Sequence, residues 1–332
     1  MKILVTGSTG FIGSHLTRSL VEMGHDVRAF HRATSAPRML ENLPVEHALG
    51  DLTQPESIRS AMRDIEIVFH AAAMLGGRDN PGRMYAVTVE GTRAILQAAR
   101  AANVQRLVYT SSVAALGVPD LAHSPELHPP LINENHTWNY RPQAWPHGYA
   151  RYLAELEVQR AVAGGLDAVM VNPSLVFGAG DVYRQNSSLV VKIARQRLSL
   201  ITEGGVNIVH IDDVVSGHLA ALERGQCGER YILGGENMTL RALVKMIAEV
   251  AGKPPPRVMV PASLVRLLPL PARMLAPFLT MPFDANILRL AGRHFYYDLR
   301  KSFSELGQAP PRPAIQAVTD AYQWFRDVGA VD

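Results

Sequence analysis

The stretch Lys2-Ile3-Leu4-Val5-Thr6-Gly7-Ser8-Thr9-Gly10-Phe11-Ile12-Gly13 decides the fold of this 332-residue chain. A short apolar run meets glycines at positions 7, 10 and 13, and an aliphatic helical pattern follows to Met23. A strand that enters a helix through glycines at this spacing is the layout of a dinucleotide loop. One glycine allows the tight turn and another lets backbone amides approach a pyrophosphate at the positive helix end. The third permits close packing of helix on strand. Gly7, Thr9, Gly10, Phe11, Ile12 and Gly13 are therefore candidate cofactor contacts.

Outward from that loop, short β-branched runs alternate with helical patterns. Strands are expected at Lys2–Thr6, Asp26–Phe30, Ile67–His70, Arg106–Thr110 and Ala168–Asn172. Helices are expected at Phe11–Met23, Pro55–Met62, Ala86–Ala101 and Tyr149–Ala163. Such alternation implies right-handed crossovers and an α/β, Rossmann-type, doubly wound parallel sheet, with ligands beyond the carboxyl ends of its strands. Residues 1–173 are read as the dinucleotide-binding domain. Residues 174–205 and 231–332 form a smaller, largely C-terminal substrate-binding region, and 206–230 return to the main sheet. In that return, Ile208–Arg224 reads as a strand and then a helix capped by Asp212 or Asp213.

The end of the second strand speaks to the nucleotide. A NAD-preferring site places an acid there, but this chain has His31-Arg32, and a cation suits a 2′-phosphate. NADP is favoured, with NAD the alternative. Asp51-Leu52 closes the next apparent strand and is placed near the adenine. His70-Ala71-Ala72-Ala73 supplies small residues where backbone passes close to the cofactor.

Composition narrows the function. Hydrophobic residues are 47% and charged residues 19%, enough apolar material for a substantial core. The net charge of +3 is spread without a basic run, which argues against nucleic acid as a partner. Cys227 is the single cysteine, so an internal disulfide and a CxxC site are excluded, and reducing cytosol is the expected home. The most apolar region, Val258 to Phe283, carries two arginines and five prolines, unlike the unbroken run of about 20 residues that spans a bilayer. It is read as domain packing, with an apolar lid, a substrate wall or a lipid contact as the sharper alternative. A small-molecule substrate is expected, and a homodimer is an open expectation.

Taken together, Thr6–Gly13, Asp51-Leu52, His70–Ala73, Val89–Thr92, Tyr109–Ser112 and Asn172–Gly178 resemble the extended short-chain dehydrogenase/reductase family. Within it, the tone is nearest to dihydroflavonol-reductase-like enzymes and hopanoid-associated sugar epimerases. The resemblance implies a Ser or Thr after the fourth strand, which falls on Ser112, and an Asn position that falls on Thr88. It also implies a Tyr-x-x-x-Lys pair on a helix. Here the pattern departs. One register uses Tyr149 and puts Leu153 at the Lys position. The other places His147 at the Tyr position and Arg151 at the Lys position. The second is preferred because it keeps a cation for the nicotinamide ribose without a gap in the helix. Residues four apart share a helix face, and Tyr149 points to the far side. Pro173 falls at the family's cofactor-lining position.

On this reading Ser112, His147 and Arg151 are the candidate catalytic residues, with no metal. Arg151 cannot relay a proton. Its charge disfavours imidazolium, so His147 is expected to be mostly neutral at pH 7, with any rate change near pH 6.5. Asn135, His136, Trp138, Tyr140 and Trp145 precede the helix and offer flat surfaces to an apolar or ring-shaped substrate. The plainer reading makes these rings anchors, His147 a packing residue and Arg151 a partner of Glu155. Three activities stay open. They are an NADP-dependent oxidoreductase, a non-redox isomerase, cyclase or dehydratase with His147 as acid/base, and a nucleotide-binding regulator.

Overall fold

The computed structural model describes residues 1–74, 81–119, 129–183, 188–198, 200–256, 258–267 and 289–331. Its main sheet has seven strands: β1 (Lys2–Thr6), β2 (Asp26–His31), β3 (Glu46–Leu49), β4 (Ile67–His70), β5 (Arg106–Thr110), β6 (Ala168–Pro173) and β10 (Arg230–Leu233). All pairings are parallel, in the order β10-β6-β5-β4-β1-β2-β3. The chain winds one way from β1 to β3 and the other way from β4 to β6. The strand order therefore reverses between β1 and β4, where a crevice opens beyond their carboxyl ends.

Both faces of the sheet are covered, which is why its strands read as nearly continuous apolar runs. On one face α2 (Pro55–Ala61), α4 (Gly91–Ala101) and α5 (Pro146–Ala163) bury Ile58, Ile95, Leu96, Ala154 and Val158. On the other, α1 (Phe11–Glu22) and α7 (Ile211–Arg224) bury Leu16, Leu20, Val214 and Val215. The remaining elements build a second layer over one end. A three-stranded sheet joins β7 (Leu175–Phe177), β9 (Gly205–His210) and β11 (Glu236–Thr239). It packs with α6 (Ser188–Ala194), α8 (Leu240–Val250) and α11 (Ala314–Asp327) around Phe177, Leu243, Ile247 and Phe325. A two-stranded parallel sheet pairs β8 (Leu200–Thr202) with β12 (Val258–Val260) and leads into α9 (Ala262–Leu267). Helix α10 (Arg300–Leu306) lies against α7 and β10.

Four local expectations are corrected. The strand at Ile208 belongs to the three-stranded sheet. The helix after it packs on the main sheet, which β10 then joins. That helix is capped by neither aspartate: His210 is the N-cap and its Nδ1 accepts the Asp212 N–H. Helix α5 starts at Pro146 rather than Tyr149, since proline at N1 removes no intrahelical hydrogen bond. The expected helix Ala86–Ala101 follows α3 (Pro81–Tyr85) and opens with a π turn over Ala86–Glu90 before α4. Of the apolar region Val258–Phe283, residues 268–283 lie outside the described residues.

Candidate active site

The glycine loop is held by sterics that leave no alternative residue at two positions. Gly7 has φ +68°, and a Cβ on it would sit 2.7 Å from the Ala72 Cα. A Cβ on Gly13 would lie 2.2 Å from the Gly7 carbonyl oxygen. The Gly7 N–H donates to the Phe30 carbonyl at 3.2 Å, and the Gly10 N–H folds back on Gly7 at 2.8 Å. Gly10 caps α1 without any side-chain oxygen, and the first turn holds no acid. The leading amides of α1 are thus open to an anion, as the loop at Thr9, Phe11 and Ile12 requires for a pyrophosphate. The backbone of Ala71 and Ala72 walls the loop opposite Gly7, Ala73 follows in sequence, and Pro173 ends β6.

At the adenosine end the sequence residues divide. Arg32 is exposed, and Asp51, despite the opposing effect of burial, is held below the usual carboxylate range by the Thr53 hydrogen bonds and then by the Arg32 charge. His31 is turned away into a pair. Its Nδ1–H donates to the Arg32 carbonyl, so its Nε2 accepts from the His47 Nδ1–H at 2.9 Å. Asp51 Oδ1 accepts from the Thr53 amide and hydroxyl, which fixes the turn after β3. The Leu52 side chain is buried against Gly91, leaving only its backbone to face a nucleotide.

Beneath the crevice runs a buried chain that sequence reading missed. Thr92 Oγ1 donates to the Thr88 carbonyl at 2.6 Å and so accepts from His70 Nε2–H at 3.1 Å. His70 Nδ1 then accepts the Thr6 hydroxyl at 2.7 Å, and Thr6 Oγ1 in turn accepts the Ala72 N–H. This chain ties β1, the alanine wall and the π turn together. Complete burial first, and the Arg151 charge second, hold the His70 pKa at about 3, so it is a neutral strut. Thr88 Oγ1 accepts the Met74 N–H, which leaves its family-implied role structural in this arrangement.

Arg151 meets the carboxyl end of β5 beside Ser112, and His147 lies one turn earlier on the same face of α5, near enough to feel the Arg151 charge. Ser112 follows β5 and caps a 3-10 turn, its Oγ accepting the Ala114 N–H. Gly148 of α5 packs on that turn, a Cβ there meeting the Ala114 carbonyl at 2.9 Å. Arg151 is buried and donates from Nη1 to the Thr110 carbonyl at 2.9 Å. Arg151 Nε and His147 Nε2 are shielded and lack a hydrogen-bond partner, two orphaned polar atoms on one helix face. Burial and then the Arg151 charge lower the His147 pKa to about 3. The expectation of neutrality at pH 7 stands. The expected change near pH 6.5 is corrected downward, because desolvation outweighs the tendency of an exposed imidazole to protonate. Arg151 does not pair with Glu155. That buried carboxylate takes Asn172 Nδ2 at 2.6 Å and Arg230 at 3.1 Å, while Asn172 Nδ2 also holds the Ser112 carbonyl.

Tyr149 lies on the other flank of α5, in ring contact with Tyr85, Trp138 and Tyr152. The connection before α5 is anchored: His136 Nδ1 donates to the Leu116 carbonyl, and Trp138 Nε1 to the Tyr140 carbonyl. Trp145, two residues before His147, meets Phe295 edge to face with ring centroids 5.9 Å apart. Asn135 is exposed.

Comparison with known proteins fits this geometry. The sequence model of the NAD dependent epimerase/dehydratase family matches residues 3–234. A putative dihydroflavonol 4-reductase of Synechocystis is 34% identical, over 98% of this chain and 95% of that protein. Sterol demethylase protein B of Methylococcus capsulatus is also 34% identical, over the full length of both. The crystal structure of gox2253 superposes with a TM-score of 0.86 at 36% identity, covering 99% of each chain. The glycine loop, the switch-point crevice and these matches make the chain a member of the NAD-dependent epimerase/dehydratase family, within the extended short-chain dehydrogenases/reductases.

Proposed function

We propose that this chain is an NADP-dependent oxidoreductase acting on a carbonyl, alcohol or conjugated group of a small apolar or ring-containing molecule. The observation that carries the reading is Arg151, anchored at the end of β5 two residues before Ser112, with orphaned nitrogens on Arg151 and on His147 one helix turn away. A loop that admits no Cβ at Gly7 or Gly13 fits a bound dinucleotide. NADP, when bound, supplies or accepts the hydride. The α1 amides hold the pyrophosphate, Arg32 the 2′-phosphate, and the backbone at Asp51-Leu52 the adenine. Ala71–Ala73 and Pro173 allow close approach, and the Arg151 guanidinium would hold ribose hydroxyls.

Ser112 Oγ donates to the reacting oxygen, where charge develops. His147 acts as a neutral imidazole. It offers Nε2 as a hydrogen-bond donor to a carbonyl oxygen, or as an acceptor for an alcohol proton. With a pKa of about 3, imidazolium is absent at neutral pH, so the net proton comes from solvent. Trp145, two residues before His147, and Phe295, which it meets edge to face, offer flat apolar surfaces that suit a ring. The names of the Synechocystis and Methylococcus relatives, a reductase and a sterol-processing protein, support the same class. The single exposed cysteine supports a cytoplasmic setting.

The family's epimerase and dehydratase members favour a second reading, turnover without net consumption of cofactor. A panel of cyclic ketones, alcohols and enones, followed both by NADPH absorbance and by product analysis, separates the two. Stoichiometric NADPH oxidation supports the oxidoreductase. Product formed at constant NADPH supports the second reading, and no product with either cofactor overturns both.

A further inference from the structure

Five of the twelve exposed large apolar side chains among the described residues sit on one small unit, the paired strands β8 and β12 with α9. Leu200 and Val258 are register partners, 50% and 51% exposed, and Met259 is 38% exposed. In α9, Ala262 and Val265 turn inward against Val260 and Ala291. Leu264 and Leu267, one helical turn apart, therefore face out, at 55% and 69% exposure. Apolar exposure concentrated in this way marks a contact surface rather than ordinary scatter.

Charge says what covers it. The two strands are parallel, so their leading ends lie side by side. Arg197 precedes one and Lys253 the other, and both are exposed. Arg266 lies on α9 itself, its Nε held by the Ala262 carbonyl. Counting Arg195 and Lys245 as well, the described residues of 195–203 and 245–267 hold five cations against two acids. Those acids are already engaged: Glu203 accepts the Ala262 N–H, and Glu249 faces Lys245. The local excess of three equals the formal net charge of the whole chain, +3. A second copy would bring the same positive charge to the contact and repel it. From Leu268 to Phe283 the sequence adds one further cation, Arg273, before the acid Asp284.

We propose that this face docks onto the surface of an anionic lipid bilayer. The leucines and Val258 enter the boundary between headgroups and acyl chains, while Arg197, Lys253 and Arg266 meet lipid phosphates. Attachment is peripheral, since no described helix is long and apolar enough to cross a membrane. The inference does not rest on the catalytic reading.

The test is co-sedimentation of the full chain with vesicles of phosphatidylcholine alone, or containing about 30 mol% phosphatidylglycerol. Wild type should pellet with the anionic vesicles and much less with neutral ones, and binding should fall as salt rises. The exposed double variant L264E/L267E should lose at least about tenfold in vesicle affinity. Its dinucleotide affinity, read by fluorescence titration, should stay at the wild-type value. R197E/K253E should weaken binding to anionic vesicles alone. The proposal is overturned by wild type that ignores anionic vesicles, by equal binding to both compositions, or by full binding of L264E/L267E. It is also overturned if sedimentation velocity shows a wild-type dimer that L264E/L267E converts to monomer, because a second copy would then cover the face.

Discussion

Mild acid should destabilise this protein through histidines that its fold keeps neutral. His70 and His218 are both fully buried. His218 Nδ1–H donates to the Val214 carbonyl at 2.7 Å, and its Nε2 accepts the Thr110 hydroxyl at 2.8 Å. Desolvation holds His70 at a pKa of about 3 and His218 at about 4. An unfolded histidine titrates near 6.5, so below that pH the unfolded chain takes up protons that the folded state refuses. The associated stability is fully present above about pH 6.5 and is lost as pH falls toward the folded values. At about pH 5 the gap from 6.5 is roughly 1.5 units, or about 2 kcal/mol per histidine and about 4 kcal/mol for the pair. That is a large share of a total stability of roughly 5–15 kcal/mol. Glu134 and Glu155, raised by burial, act with the opposite sign, so a single-site comparison isolates the histidine effect. Urea unfolding of wild type and His218→Gln at about pH 7.5 and pH 5 provides it. The variant should lose about 2 kcal/mol of the wild-type pH sensitivity. Equal sensitivity in the two proteins would refute the reasoning.

Three further outcomes are expected. Gly13→Ala forces α1 off the Gly7 carbonyl and should weaken dinucleotide binding by about tenfold or more, as read by fluorescence titration. Arg32→Asp should reverse the nucleotide preference, with NADPH weakened about tenfold and NADH bound at least as well; a titration that leaves the ratio unchanged removes Arg32 from the 2′-phosphate. Ser112→Ala should slow turnover by roughly 10²–10³ with folding intact, whereas unchanged kcat/KM would take its hydroxyl out of the reaction.

Much of the frame was legible because it follows from local pattern. The β1 strand and glycines 7, 10 and 13 need only spacing and φ, and alternating strands and helices dictate the parallel sheet. What stayed hidden depended on partners far apart in sequence. Nothing local shows that His70 will meet Thr6 and Thr92, or that Glu155 will turn to Arg230, 75 residues away, rather than to Arg151 one turn away. The His210 cap was missed because aspartates are the commoner caps, yet an imidazole lone pair accepts the same amide. His147 was paired with Arg151 one turn on, but the expected helix began only at Tyr149, and the depth of His147 was not read. Composition carries no signal for desolvation, and desolvation moved its titration from about 6.5 to about 3.

The central claim is that His147 and Arg151, rather than Tyr149, form the working face of α5. A crystal structure of the NADP+ complex tests it most directly, without knowledge of the substrate. The expected result places the Arg151 guanidinium on the nicotinamide ribose hydroxyls, His147 Nε2 toward the nicotinamide face, and Tyr149 still packed on Trp138. A Tyr149 hydroxyl at the nicotinamide, with His147 turned into the core, would contradict it.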